Sequence, residues 1–117
     1  MHARALFGQW GERQAGIYLE TKGFSIIARN YHCPHGELDI IATKDGAITF
    51  VEVKSRQTLK YGRPAEAVTK QKQRKIHACA FYYLQQQRRY YRRMWFDVIE
   101  IYLEEGKPIL NHIEHCF

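Results

Sequence analysis

The sequence predicts an α/β domain: one mixed β-sheet flanked by helices, in the order α-β-β-β-α-β. Three observations carry this. Gly36–Lys54 reads as a β-hairpin, because strand-like runs flank Lys44-Asp45-Gly46 and Asp-Gly accepts the positive φ of a tight turn. Two stretches with helical spacing of apolar residues, 4–22 and 70–87, lie on either side of that hairpin. Trp95–Leu103 (WFDVIEIYL) is a further run of strong β-formers. A mixed sheet with helices on its faces is the natural packing of such an order. The chain has 117 residues, 45% of them apolar, which suits a single domain with a modest core.

In the first helix, Leu6, Trp10, Ile17 and Tyr18 roughly follow helical spacing, and Gly23 is the stop. Gly8, Gly11 and Gly16 each cost up to ~1 kcal/mol in a helix interior, yet such small residues would let the helix approach a sheet closely. Phe24–Asn30 reads as the first strand and Tyr31–Gly36 as a loop broken by Pro34 and Gly36. In the hairpin, Leu38, Ile40 and Ala42 alternate with Glu37, Asp39 and Ile41. Ala47–Val53 is apolar enough to be buried on both faces.

Ser55–Arg63 is a basic loop, and Ala65–Val68 a short turn. Thr69 is placed to cap the second helix, which would bury Val68, Ile76, Cys79, Ala80, Tyr83 and Leu84. Gln85–Arg93 (QQQRRYYRR) is a polar, basic connector. After the strand 95–103, Glu104–Pro108 turns the chain and Ile109–Ile113 forms a last short edge strand. No repeat, low-complexity tract or long linker divides the chain.

Formal net charge is +6, but its distribution says more. Residues 54–93 hold twelve of the 18 Lys and Arg and a single acid, Glu66. The rest holds six bases and eleven acids. A basic half beside an acidic half suits a polyanion partner together with a cation site. Lys70, Lys72, Arg74 and Lys75 crowd the first turns of the second helix, the end that the helix dipole makes unfavourable for cations. That placement points to phosphate. Arg and Tyr interleaved at 88–93 suit backbone phosphates and stacked bases.

Three widely spaced cysteines, Cys33, Cys79 and Cys116, imply no disulfide framework and fit a reducing compartment. His32-Cys33-x-His35 is too crowded for usual zinc spacing, and it reads as ordinary loop. No run approaches the ~20 apolar residues of a membrane span, and none has signal-peptide character at the start. A cytoplasmic protein that avoids membranes is the expectation.

The chemistry concentrates on the hairpin. Period 2 puts Glu52 and Lys54 on one face of their strand, roughly 6.6–6.8 Å apart. Asp39 comes from the neighbouring strand. Charges on so apolar a strand are expensive to bury without partners. Asp39 and Glu52 can converge on one hard divalent cation, with the Val53 carbonyl as a further ligand. Lys54 can then meet a phosphate oxygen or the attacking water, and Glu12 can approach from the first helix. Surface salt bridges on a half-exposed sheet would use the same residues.

Asp39, a spacing of thirteen to Glu52, then Val53 and Lys54, resembles the PD-(D/E)XK nuclease motif. The element order resembles that superfamily's restriction-endonuclease-like αβββαβ core. Leu38 stands where the wider motif has proline. Glu12, in Gly11-Glu12-x-x-Ala15, resembles the helix-borne acid of archaeal-type Holliday junction resolvases. More closely, the chain resembles the YraN family of uncharacterised bacterial endonuclease-like proteins. The matching runs include Gly36–Ala42 (GELDIIA), Phe50–Arg56 (FVEVKSR), Tyr61-Gly62, Ala65–Val68, Lys72-Gln73, Phe96–Val98 and the terminal Phe117.

The resemblance implies a single endonuclease-like domain, 1–117, that hydrolyses phosphodiester bonds in DNA, with branched or damaged DNA as candidate substrates. Mg²⁺ or Mn²⁺ would sit on Asp39, Glu52 and Val53, with Lys54 and Glu12 catalytic. Arg56, Lys60, Arg63, Lys70, Lys72 and Lys75 would position the nucleic-acid backbone, and Lys72 or Gln73 would touch phosphate or water. A homodimer would let such an enzyme cut two strands. A non-catalytic nucleic-acid-binding module, or a subunit of a larger assembly, would use the same fold and the same basic segment.

Overall fold

The computed structural model describes residues 3–60 and 62–117. Tyr61, one of the matching positions, lies outside them. Helix α1 (Ala3–Thr21) leads into a meander of β1 (Ser25–Cys33), β2 (Gly36–Lys44) and β3 (Ala47–Arg56). A 3-10 turn (Pro64–Ala67) precedes α2 (Lys70–Gln85), and β4 (Arg93–Glu104) and β5 (Lys107–Ile113) complete the chain. The five strands lie in sequence order. All neighbours are antiparallel except β3 and β4, which run parallel, with α2 in the connection between them. The expected mixed sheet with flanking helices is therefore present.

The β2–β3 hairpin closes at Lys44↔Ala47 around Asp45 and Gly46, at φ 53° and 80°. That is the two-residue turn with both central residues at positive φ, whose twist suits antiparallel strands. Glu105 and Gly106, at φ 51° and 75°, repeat the device between β4 and β5. Thr69 caps α2 as expected, its hydroxyl accepting from the Lys72 N–H at 3.2 Å.

Each face of the sheet has its own core. On the α2 side, Leu38, Ile41, Ile48, Phe50, Phe96 and Val98 meet Ile76, Cys79, Ala80 and Tyr83. On the α1 side, Ile40, Ala42, Val51, Val53, Ile99 and Ile101 meet Ala15 and Leu19. The β-strands are apolar on both faces where both are covered, as a central strand requires.

Three details differ from the sequence expectation. First, Leu6 and Ile17 are more than half exposed, and α1 meets the sheet through Gly11, Ala15 and Leu19 instead. The approach at Gly11 is close enough that an added Cβ would lie 2.0 Å from Ser55 Oγ and 3.2 Å from Ser55 Cβ, so any larger residue there must displace Ser55. Second, β1 continues through Tyr31–Cys33, expected as loop. The Tyr31 ring meets Tyr83 edge-on at 5.0 Å, so tertiary contact recruits the segment into the sheet. Third, Cys33 and Cys79 form a disulfide, with Cα atoms 5.8 Å apart, against the expectation of unpaired cysteines. They are 46 residues apart in sequence, and only the fold brings β1 and α2 together.

Candidate functional site

The expected alternation along β2 breaks at Asp39. Leu38 enters the α2-side core, whereas Ile40 enters the α1-side core. The cause lies in the pairing. The β2–β3 ladder runs from Lys44↔Ala47 to Ile40↔Val51 and stops there. Beyond it the strands part, and the Asp39 carboxylate fills the place of a backbone partner: its Oδ2 accepts from the Val53 N–H at 2.8 Å. In an extended strand the N–H and C=O of one residue point to the same side. The Val53 carbonyl therefore faces the same parting.

Acids and bases from four elements meet around this opening. Glu52 and Lys54 project from β3 as period 2 requires, with Lys54 Nζ 3.8 Å from Glu52 Oε1. The Glu52 side chain is only 12% exposed and lies beside Asp39. Burial, and then the Asp39 charge, push its carboxyl up to about 9. The protonated form of Glu52 is thus favoured at neutral pH, even with Lys54 beside it. Glu12, half-buried on α1, is also raised above the usual range, by burial first and then by Asp39 and Glu37. From α2, Lys72 lies against Lys54, whose charge and whose contact with it, together with burial, hold the Lys72 ammonium below its ordinary range.

Asn30 completes the acidic side. With its amide nitrogen turned toward the acids, it donates to Glu37 Oε1 at 3.1 Å and to Glu12 Oε1 at 3.2 Å. It sits at φ 50°, a left-handed conformation that asparagine tolerates better than most residues. Nothing in local sequence pattern marks Asn30 out. Two cavities flank the opening. One of about 320 Å³ is lined by Glu12, Arg29, Asn30 and Asp39, and another of about 150 Å³ by Glu37, Glu52, Lys72 and Lys75.

The structure thus gathers Glu12, Asp39, Glu52 and Lys54, and adds Lys72 and Asn30. The other basic candidates are spread more widely. Lys70 is exposed at the start of α2, and Lys60 lies on the exposed loop. Arg56 donates to the Gly62 carbonyl at 3.2 Å. Gln73 donates to the Val68 carbonyl at 3.2 Å and so helps to close the start of α2. Arg63 is engaged by the buried Glu100 and lies over the Tyr102 ring at 5.0 Å. Glu100 also accepts from the Ala65 N–H and the Asn111 amide. Burial alone would raise its carboxyl, but these hydrogen bonds, that from Arg63 first, hold it below the usual range.

The donor set suits a small hard cation. Among the described residues no cluster of three His, Cys, Asp or Glu side chains has metal-holding geometry. Mg²⁺ characteristically takes only one or two protein carboxylates and leaves its other positions to water and phosphate. Asp39 and Glu52, side by side, provide two carboxylates, and the Val53 carbonyl oxygen is a third oxygen donor on the same side.

The profile of the uncharacterised protein family UPF0102, the same family as YraN, matches residues 11–101. A UPF0102 protein of Syntrophomonas wolfei is 44% identical over 110 residues, covering 94% of this chain and 96% of its own. One from Caldicellulosiruptor saccharolyticus is 41% identical over the whole of both chains. Another, from Rhodococcus opacus, is 42% identical over 94% of each. No helix among the described residues is long and apolar enough to cross a membrane.

Proposed function

The chain belongs to the uncharacterised protein family UPF0102, and we propose that it is a metal-dependent nuclease that hydrolyses phosphodiester bonds in DNA. The observation that carries this reading is the Asp39–Glu52 pair, two adjacent carboxyls beside Lys54 at the parting of β2 and β3. Burial and the Asp39 charge raise the Glu52 carboxyl even with Lys54 beside it, and a divalent cation would relieve that repulsion.

Mg²⁺ or Mn²⁺ held by Asp39, Glu52 and the Val53 carbonyl oxygen would supply Lewis-acid polarisation of the phosphoryl group. Lys54 stands next to Glu52 and is placed to meet charge that builds on a non-bridging phosphate oxygen. Lys72, held against Lys54, adds a second ammonium at the same point and disperses that charge over two groups. Glu12, with its raised carboxyl and its hydrogen bond from Asn30, is suited to orient a water and accept its proton. Lys75, which lines the same cavity as Glu52, and the exposed Lys70 extend the cationic surface along α2 for the sugar-phosphate backbone.

The test is cleavage of supercoiled, linear and four-way-junction DNA by the purified protein in Mg²⁺ or Mn²⁺. Asp39→Ala and Lys54→Ala should each lose at least ~100-fold in rate. Equal cleavage by the wild type and Asp39→Ala would assign the activity to a contaminant. Salt-sensitive binding without metal uptake or cleavage would favour a non-catalytic nucleic-acid-binding module.

A further inference from the structure

A cavity of about 490 Å³ opens at the other end of β3, on the α1 side of the sheet, lined by Ala47 and Thr49 of β3 and clear of Glu52 and Lys54. Its size falls within the usual range for small-molecule sites. Lys22, Lys44, Arg92 and Arg93 line it. The acids on its surface are Asp45, Asp97 and Glu114. Asp97 is committed. It is buried, its Oδ2 lies 2.7 Å from His112 Nε2, and its Oδ1 accepts from the His115 N–H at 3.0 Å. Tyr18 closes this network from α1, its hydroxyl 3.1 Å from His112 Nδ1. Four cations therefore face two further carboxylates, Asp45 and Glu114, and Glu114 Oε1 lies 3.9 Å from His112 Nδ1.

The cavity also has an aromatic wall. The Trp95 and His115 rings are stacked, with centroids 3.7 Å apart and planes 21° from parallel. The Asp97–His115 hydrogen bond fixes the backbone that carries the His115 ring, so the stack is pre-formed. The cations are positioned as well. Lys44 Nζ lies 5.1 Å from the Phe24 ring centroid, and the Arg92 N–H donates to the Gly46 carbonyl at 3.0 Å. That bond ties the basic connector to the tight β2–β3 turn at the mouth of the cavity. A stacked aromatic pair beside a group of cations matches a ligand that is flat at one end and anionic at the other.

We propose that this cavity binds a nucleoside monophosphate group, its base against the Trp95–His115 stack and its phosphate among Arg92, Arg93, Lys22 and Lys44. The group has two sources: a free nucleotide or the phosphorylated end of a strand. A second groove, lined by Lys44, Arg89, Tyr90 and Tyr91, adjoins the cavity at Lys44 and Asp45 and gives a strand a path onward. Base-on-aromatic stacking along a basic track is the general pattern of single-strand recognition.

The site can be read without catalysis. In Trp10→Phe protein, Trp95 is the only tryptophan and reports on its own wall. With EDTA present, dAMP should quench its fluorescence saturably. Deoxyadenosine and inorganic phosphate should each bind at least ~10-fold more weakly, and Arg92→Ala/Arg93→Ala should weaken dAMP by a similar factor. Asp39→Ala should leave dAMP binding unchanged, so the result is independent of the nuclease reading. Saturation-transfer NMR on the wild type gives the same comparison if Trp10→Phe does not fold. A 5′-phosphorylated oligonucleotide that binds tighter than dAMP identifies a strand end as the source; equal or weaker binding identifies the free nucleotide. No saturable binding of either ligand, equal affinity for deoxyadenosine, or an unchanged affinity in the double variant would overturn the proposal.

Discussion

The carboxylate of Asp39 takes a hydrogen bond from the backbone N–H of Val53, at 2.8 Å, where the β2–β3 ladder has just ended. A side chain thus stands in for a strand. The bond satisfies a donor that would otherwise be left open by the parting of the strands, and it fixes Asp39 beside Glu52. The same break that interrupts the sheet therefore builds the acidic pair.

The raised Glu52 carboxyl makes metal-free stability depend on pH. Glu52 is raised from 4.5 to about 9 by burial and by Asp39, so between those values the folded state holds a proton that the unfolded state has released. Stability from this group is fully present below about 4.5 and is lost as pH rises through about 9. Thermal denaturation in EDTA should show a smaller fall in Tm from pH 6 to pH 9 for Glu52→Gln than for the wild type. Mn²⁺ affinity, measured by calorimetry, should rise over the same interval and proton release should accompany binding.

Gly11 sets the distance between Glu12 and the sheet. A Cβ there would strike Ser55 Oγ and approach Ile101. Gly11→Ala should cost ~1–3 kcal/mol in urea denaturation despite its better helix propensity, because overpacking outweighs the gain. Gly8→Ala, with open space around it, should be neutral or stabilising.

Glu100 anchors the 3-10 turn that leads into α2. Glu100→Ala leaves the Ala65 N–H, the Asn111 amide and Arg63 without their shared acceptor. A loss of ~2–3 kcal/mol is expected, as for charge-assisted bonds to a buried carboxylate. Arg63→Met should cost less, since the Arg63 side chain is 47% exposed. Urea midpoints for the two variants check the order.

The Cys33–Cys79 bond closes a long loop between β1 and α2. Cys33→Ser/Cys79→Ala should lower stability by ~2–4 kcal/mol, or Tm by roughly 10 °C. Dithiothreitol should reproduce that loss in the wild type and leave the double variant unaffected.

Local signals in the sequence carried the elements well: the Asp45-Gly46 turn, the Thr69 cap and the β-branched runs all encode structure within a few residues. They also placed Asp39, Glu52 and Lys54 on one hairpin. What they missed depends on long-range proximity. Asn30 reads as the last residue of a strand until the fold sets it between Glu12 and Glu37. Tyr18 and His112 are 94 residues apart, and no periodicity links them. Arg63 looks like any other base of the cationic segment, because Glu100 reaches it from 37 residues away. Exposed Leu6 and Ile17 on α1 mislead for a related reason: hydrophobicity marks residues that favour burial, whereas which face of α1 meets the sheet, that of Gly11, Ala15 and Leu19, is set by the tertiary fold.

The single parallel pair in the sheet bears on the order in which the site forms. The meander β1–β2–β3 is joined by short turns, whereas β4 reaches β3 only after the crossover through α2, with Ala47 paired to Arg93. Short loops close at lower entropic cost than long ones. A growing chain can therefore bring Asp39 to Glu52 while Lys72 is still unplaced. The acids assemble first, and the second ammonium arrives with the helix that shields them.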